Sequence, residues 1–439
     1  MSGDRYAKSR GILARSQGVI AGGVVSLNRK VEPPVVFVRA QGSRLWDADG
    51  NEYLDYHAAF APHVLGHNDP EVNGAVEKAL RDGWSLMGSG TTTWELRLAE
   101  LLRDCVPSLE RIQITNTGSE ATAHAVRLSR AFTGRDDLVL MLGGYNGWHN
   151  DVARQVMPPL QDCGPRVSPG EYSFLAASAG IPEGVKARVH LVNFNDAASM
   201  EHVMSRVPVA CVLTEPVLQN IGVAPPKPGY LAELRRLCDR HGALLVFDEV
   251  KTGFRSALGG YQSIAGVRPD LSVFGKAVAN GYPLGVIGGR KDVMDLFDAP
   301  EPSRRVLIAG TYNAHPVGTA AAIATIERLR RGGGEVYRRL EALGARMQSG
   351  LEGLLRGRGV VSRIGSAFCA YFADHVPVDW HDLASSHDFG LDRRYRRALV
   401  DRGVYHFPLP AKQGSISAAH TEADVDLTLE RTRDALASL

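Results

Sequence analysis

The chain has 439 residues, 44% hydrophobic and 22% charged, with a formal net charge of +2. This is the composition of a globular protein with a large core and two or three lobes, and it offers neither nucleic acid nor a membrane surface a charge to bind. The five cysteines include no Cys-x-x-Cys pair, no run approaches the ~18 apolar residues of a membrane span, and Met1–Gln17 lacks the apolar stretch of a secretory signal, so the expectation is a cytoplasmic protein with no disulfides, metal or membrane anchor.

In chain order, residues 4–18 have helical spacing. Residues 35–56 hold three short strand-like pieces around the turn Asp47-Ala48-Asp49-Gly50. Helical spacing returns at 69–82 and 92–105. Apolar runs then follow near 112–115, 139–142, 189–192, 209–214, 243–248, 271–274 and 284–288, most of them continuous rather than alternating. Continuous runs are the pattern of strands covered on both faces. Helical stretches at 118–133, 196–206 and 228–241 separate several of them; in the first, Ala121, Ala125, Leu128 and Phe132 share a face. Strand alternating with helix predicts a mostly parallel α/β sheet. Residues 150–185 break the rhythm with Pro158-Pro159, Gly164-Pro165, Pro169-Gly170 and Gly180-Ile181-Pro182, and a long irregular stretch inside a compact domain is usually functional or mobile. Residues 314–356 read as a long helical connection broken at Gly332-Gly333-Gly334, and 359–436 as a smaller α+β region. The expected organisation is an N-terminal segment (1–60) that joins the small domain, a large α/β domain (61–330) and a C-terminal α+β domain (331–439).

Three segments carry chemistry. Leu271-Ser272-Val273-Phe274-Gly275-Lys276 is a buried strand ending in one lysine, and a lysine at a sheet rim can lose its proton and form a Schiff base with a carbonyl. Leu244-Leu245-Val246-Phe247-Asp248 ends a second strand with a carboxylate, which would face the ligand crevice of a parallel sheet; its plainer reading is a cap on the turn Val250-Lys251-Thr252-Gly253. Thr117-Gly118-Ser119-Glu120 opens an amphipathic helix, where backbone N–H groups favour an anion; its plainer reading is an N-cap. A lysine, a carboxylate and a phosphate cradle are the parts needed to hold pyridoxal phosphate. Tyr145 could lie against the ring, Glu215 could hydrogen-bond near it, and Gly310-Thr311-Tyr312-Asn313 presents a hydroxyl and amides suited to phosphate.

With these residues in view, nearly the whole chain resembles the class III pyridoxal-phosphate aminotransferases of fold type I, and within them the glutamate-1-semialdehyde aminomutase branch. The resemblance rests on Ala21-Gly22-Gly23-Val24 through Arg29, Asp47-x-Asp49-Gly50-Asn51-x-Tyr53-x-Asp55, Leu65-Gly66-His67, Asn116 to Ala121, Glu215-Pro216, Phe247 to Arg255, Phe274-Gly275-Lys276, Gly310-Thr311-Tyr312 and Ala419-His420-Thr421. It implies a seven-stranded, mostly parallel sheet with a smaller α+β domain. It implies Lys276 as the Schiff-base lysine, Asp248 as partner of the ring nitrogen, Gly118 and Ser119 on the phosphate, Tyr145 and Val250 on the two ring faces, and Asn220 near the ring hydroxyl. Thr311 would reach the phosphate of a neighbouring subunit's cofactor, which implies a homodimer. Arg29 matches an arginine that holds a substrate carboxylate, and residues 150–185 match a gating loop. The substrate side departs from the aminomutase: Phe60 replaces a tryptophan, Asn146 a histidine and Lys412 a glutamate, and Gly88–Thr93 differs. The expected activity is therefore amino transfer between an amino acid or amine and a keto acid by ping-pong aldimine and pyridoxamine chemistry. The aminomutase itself, which moves the amino group within one molecule, is the alternative. A cofactor-sensing regulator would need a DNA-binding segment, and nothing basic or helix-turn-helix-like precedes residue 20.

Overall fold

The computed structural model describes residues 4–85 and 90–439. The chain divides into two compact units. The larger takes residues 70–338 and 377–386, and the smaller takes those up to 69 with 339–376 and 387–439. The stretch 377–386, placed with the C-terminal domain on sequence, clusters with the larger unit. In chain order the strands are β1 (Phe37–Gln41), β2 (Arg44–Asp47), β3 (Glu52–Asp55), β4 (Arg111–Thr115), β5 (Asp137–Met141), β6 (Val189–Val192), β7 (Val209–Thr214), β8 (Leu244–Asp248), β9 (Leu271–Phe274), β10 (Gly285–Gly289), β11 (Val360–Ile364), β12 (Ala367–Tyr371), β13 (Val404–Tyr405) and β14 (Gly414–Ser415).

The larger unit is built on the seven-stranded sheet β4-β10-β9-β8-β7-β5-β6. β10 runs antiparallel to both of its neighbours, and the remaining pairs are parallel. Every residue of β5 through β10 is buried, which is why these strands read as unbroken apolar runs. The helix Gly118–Thr133 is capped by Thr117, whose side chain accepts from the Glu120 N–H at 3.2 Å, while Glu120 Oε2 accepts from the Asn116 N–H at 2.8 Å. Its Ala121, Ala125 and Leu128 are buried. The expected long helix is two helices, Pro316–Arg330 and Glu335–Leu354, parted where Gly332, Gly333 and Gly334 all take positive φ. That backbone region is left-handed, and glycine enters it without steric cost.

Residues 150–185 are irregular, with two one-turn helices, Leu160–Cys163 and Glu183–Lys186. The stretch is nevertheless tied down along its length. Arg154 bridges Ala176, and the Gln155 N–H donates to Leu175 O at 2.8 Å. Trp380 Nε1 donates to Pro158 O at 3.0 Å, and His381 Nε2 lies 3.0 Å from Gly164 O. The Gly170 N–H donates to Ser199 Oγ at 2.8 Å.

The smaller unit holds two sheets, β1-β2-β3-β13 and β11-β12-β14, and packs the partly buried Val35, Phe37 and Ala40 against a buried cluster of Leu45, Tyr53, Val400 and Tyr405. The predicted turn joins β2 to β3, with Asp47 Oδ1 accepting from Asp49 N–H and Asn51 N–H. Four consecutive non-glycine residues, Ala58, Ala59, Phe60 and Ala61, have φ of 47, 52, 69 and 79°. Each costs roughly 1–2 kcal/mol in this left-handed region, so the turn must be imposed by its surroundings. Asp55 supplies part of that hold: Oδ1 accepts from His57 N–H and Ala58 N–H, and Oδ2 pairs with His67 Nε2 at 2.6 Å. Among the described residues no helix is long and apolar enough to cross a membrane, and no acidic, histidine or cysteine group is arranged to hold a metal.

Candidate active site

β7, β8 and β9 are adjacent parallel strands. Glu215 follows the first, Asp248 ends the second, and Lys276 follows the third through Gly275. All three therefore leave the carboxyl edge of the sheet, where open α/β sheets bind ligands. The loop after β5, which pairs with β7, brings Tyr145 and Asn146 to the same edge, and β4 delivers Gly118 and Ser119 at the start of their helix.

Lys276 takes φ 50°, a strained value for a lysine and of a kind that collects at functional sites. Burial lowers the pKa of its amine, and the charges of Asp248 and Glu215 oppose that shift. Asp248 is 3% exposed. Its Oδ1 accepts from the Val250 N–H at 3.0 Å and its Oδ2 from Asn146 Nδ2 at 2.8 Å. The turn-capping and crevice-facing readings of this aspartate are thus compatible. Burial, followed by the charge of Glu215, pushes its carboxyl up to about 7, against the hydrogen bonds from Asn146 and Val250 and the charge of Lys276. Glu215 is an ordering hub: Oε1 accepts from Tyr145 N–H and Asn220 Nδ2, each at 2.9 Å, and Oε2 from Gln219 N–H at 3.2 Å.

At the helix start, a Cβ on Gly118 would stand 2.7 Å from Val250 Cγ2, so only glycine fits between that side chain and the helix N-terminus. Asn116 Nδ2 donates to Asn313 Oδ1 at 3.2 Å, tying the segment of Thr311 to the end of β4. Thr311 is exposed. The side-chain amide of Gln219, fully buried, has no hydrogen-bond partner among the described residues, and such a group calls for a ligand or water.

Arg29, Phe60 and Lys412 belong to the smaller unit. Arg29 is exposed on the turn Leu27–Arg29 and lines a cleft of about 380 Å³ with Arg10, Gln17, Lys30 and Glu32. Phe60 packs its ring 4.3 Å from His57 and 5.0 Å from Phe407. Lys412 is half-buried, and its carbonyl accepts from Arg396 Nη2 at 2.9 Å. Of Gly88–Thr93, Gly88 and Ser89 lie outside the described residues. Sequence reasoning missed Arg154, a buried arginine whose Nη2 donates to Asn146 Oδ1 at 3.0 Å. Nothing in its neighbours Val152-Ala153-Arg154-Gln155 marks it.

The family model "Aminotransferase class-III" matches residues 26–406. The chain belongs to the class III aminotransferases. Among relatives of this class III aminotransferase, the glutamate-1-semialdehyde 2,1-aminomutase of Sorangium cellulosum is 37% identical over 444 residues, covering 99% of this chain and 97% of that protein. An omega-transaminase from Sphaerobacter thermophilus superposes with a TM-score of 0.90 at 31% identity, covering 99% of both chains. A glutamate-1-semialdehyde-aminomutase from Pseudomonas aeruginosa in complex with PMP gives a TM-score of 0.86 at 26% identity, covering 99% of this chain and 95% of that one. The cofactor of this class III aminotransferase is pyridoxal phosphate. The residues present fit it: a desolvated amine for an aldehyde, a buried carboxylate for a ring nitrogen, a bare helix N-terminus for a phosphate and an unpartnered buried amide.

The raised Asp248 carboxyl has a consequence for the protein stripped of cofactor. Between pH 6 and 8 the folded state binds more proton at Asp248 than the unfolded chain, with its ordinary carboxylate, does. Stability therefore falls as pH rises through this window. With the folded value near 7, the apoprotein should lose about 1.4 kcal/mol between pH 6 and 8 relative to Asp248→Asn. Denaturant titrations of both proteins at the two pH values measure the difference. A gap that does not change with pH would refute the raised carboxyl.

Proposed function

We propose that this enzyme is an aminotransferase that moves an amino group between an amino acid or amine and a keto acid, with Lys276 holding the cofactor and carrying the proton. The observation that carries this reading over the aminomutase is the anchoring of residues 150–185 through Arg154, Pro158, Gly164 and Gly170. An intramolecular transfer must keep its half-finished product, which calls for a lid that closes and reopens. A stretch fastened at this many points suits a site that exchanges a spent donor for an acceptor. The 37% identity to an aminomutase over 99% of the chain favours the second reading, so the deciding assay carries both. Donors offered with pyruvate or 2-oxoglutarate should yield the aminated acceptor only when both substrates are present. Turnover of glutamate-1-semialdehyde with no second substrate would overturn the proposal.

In this reading, Gly118 and Ser119 receive the phosphate, Tyr145 and Val250 cover the two ring faces, and Asn220 lies near the ring hydroxyl. Asp248 holds a proton on the ring nitrogen. Bound pyridoxal phosphate supplies the electron sink for the carbanion at the substrate's amine-bearing carbon. Lys276 Nζ, whose pKa burial lowers, takes the proton from that carbon. Glu215 orders Tyr145 and Asn220.

Arg29 is proposed to bind the substrate carboxylate. A guanidinium–carboxylate contact is worth roughly 1.5–3 kcal/mol. Arg29→Ala should therefore raise KM for carboxylated donors by about ten- to a hundredfold, at tenfold per 1.4 kcal/mol, and leave simple amines unchanged. If Lys412→Ala has that effect and Arg29→Ala does not, the carboxylate site is at Lys412. A homodimer with shared sites is supported by large apolar side chains left exposed around Thr311, with Leu307 68% and Tyr312 59% exposed. Lys276→Ala chains exchanged with Thr311→Ala chains should regain activity in the hybrid sites that carry neither change. No recovery after verified exchange would count against the shared site.

A further inference from the structure

We propose that Arg154 is a positioning residue for Asp248, acting through Asn146. This rests on the reading that Asp248 faces the cofactor's ring nitrogen. Asn146 and Arg154 are each 3% exposed. Arg154 Nη2 donates to Asn146 Oδ1 at 3.0 Å and to Met141 O at 2.8 Å, while Nη1 donates to Val152 O at 3.2 Å. A guanidinium can only donate. Asn146 must therefore turn its oxygen toward Arg154 and its NH2 toward Asp248 Oδ2, 2.8 Å away. Flipped, the same amide would present an acceptor to Asp248 and favour the protonated carboxyl. The other carboxylate oxygen already accepts from the Val250 N–H. With the amide held this way, both oxygens face donors, which favours the ionised form that a protonated ring nitrogen requires.

The guanidinium is a costly choice if its work is only structural. It is fully desolvated, its Nε has no partner among the described residues, and no carboxylate is hydrogen-bonded to it. Burial lowers its pKa to about 10, so it keeps its charge at neutral pH. The charges of Glu215 and Asp248 act on it from the same crevice. Room for it is made at Gly144, where a Cβ would stand 3.1 Å from Arg154 Nη2 and 3.6 Å from Glu215 Oε1. The backbone bridge to Ala176 fixes its place in the chain. The irregular stretch, in this view, anchors a donor behind the carboxylate.

The test is a double-mutant cycle read on the affinity of stripped protein for pyridoxal phosphate, by equilibrium dialysis, with the pH titration of the bound visible band as a second readout. Arg154→Met and Asn146→Ala should each weaken binding by about ten- to a hundredfold, the worth of one hydrogen bond to a charged group. The double variant should be no weaker than either single, because both remove the same donor from Asp248. Asn146→Asp is isosteric and gives Arg154 a carboxylate partner, while setting a second carboxyl oxygen where the amide nitrogen stood, 2.8 Å from Asp248 Oδ2. It withdraws the donor and should weaken binding and move the titration of the visible band. Additive losses in the double variant, or an Asn146→Asp protein that binds and titrates like the parent, would overturn the proposal. If Arg154→Met does not fold, Asn146→Asp with Arg154→Lys carries the same decision. Asp248→Asn is the control: if it leaves affinity and titration unchanged, the placement of Asp248 against the ring has failed and the relay with it. An impaired Asp248→Asn beside an unaltered Arg154→Met rejects the relay alone.

Discussion

Lys276→Ala should reduce turnover by roughly four orders of magnitude or more, since under the proposed function one substitution would remove both a covalent anchor and the general base. Burial disfavours the protonation of this amine. After borohydride reduction, the parent's peptide containing Lys276 should carry the mass of the cofactor, and the variant should carry it nowhere. The melting temperature separates chemistry from folding. Alanine must take the same φ of 50°, so backbone strain is not relieved, but the burial of an amine is. A variant that melts far below the parent would point to a structural role. Retained covalent cofactor on another lysine, or near-normal turnover, would remove Lys276 from the reaction.

Asp248→Asn should still bind some cofactor and lose about two to three orders of magnitude in turnover, the scale of losing one preorganised charge at a reacting centre. The physical reason is specific to this crevice. The carboxylate stands close to ionisation balance, with burial and Glu215 raising its pKa and Asn146, Val250 and Lys276 lowering it. A cationic ring nitrogen opposite would complete that balance in favour of charge. The amide cannot supply the charge, and one of its two ends must meet a donor from Asn146 or Val250. The spectrum of bound cofactor and its pH dependence distinguish an altered ring from lost affinity. Turnover within a few-fold of the parent in a folded variant would show that the ring is activated by another residue.

Most of the larger unit was legible from local pattern. Strands buried on both faces leave unbroken apolar runs, and each run from 112–115 to 284–288 became a strand of one sheet. The helix at 118–133 was announced by its cap and its small apolar face, and the break at 332–334 by three glycines. Lys276 and Asp248 were legible because each ends such a run. Other contacts lie beyond any such local pattern. The irregular stretch 150–185, matched to a gate, is fastened by residues as distant as Trp380 and His381, and no window of sequence contains those partners. The strained turn at Ala58–Ala61 was equally silent, since its three alanines and Phe60 advertise no left-handed backbone.

The sequence by itself determined the elements, their order and the family, because periodicity, capping and motif spacing are properties of residues a few positions apart. The tertiary structure decided which polar groups meet. Asn146 and Asp248 are 102 positions apart, and only the order β8-β7-β5, by placing their loops at one edge, brings amide to carboxylate. It also decided the chemistry of those groups. A lysine is depressed where the fold removes water from it, and an aspartate is raised where the fold also sets Glu215 nearby. Burial and charge proximity are facts of packing, and no single stretch of chain contains them.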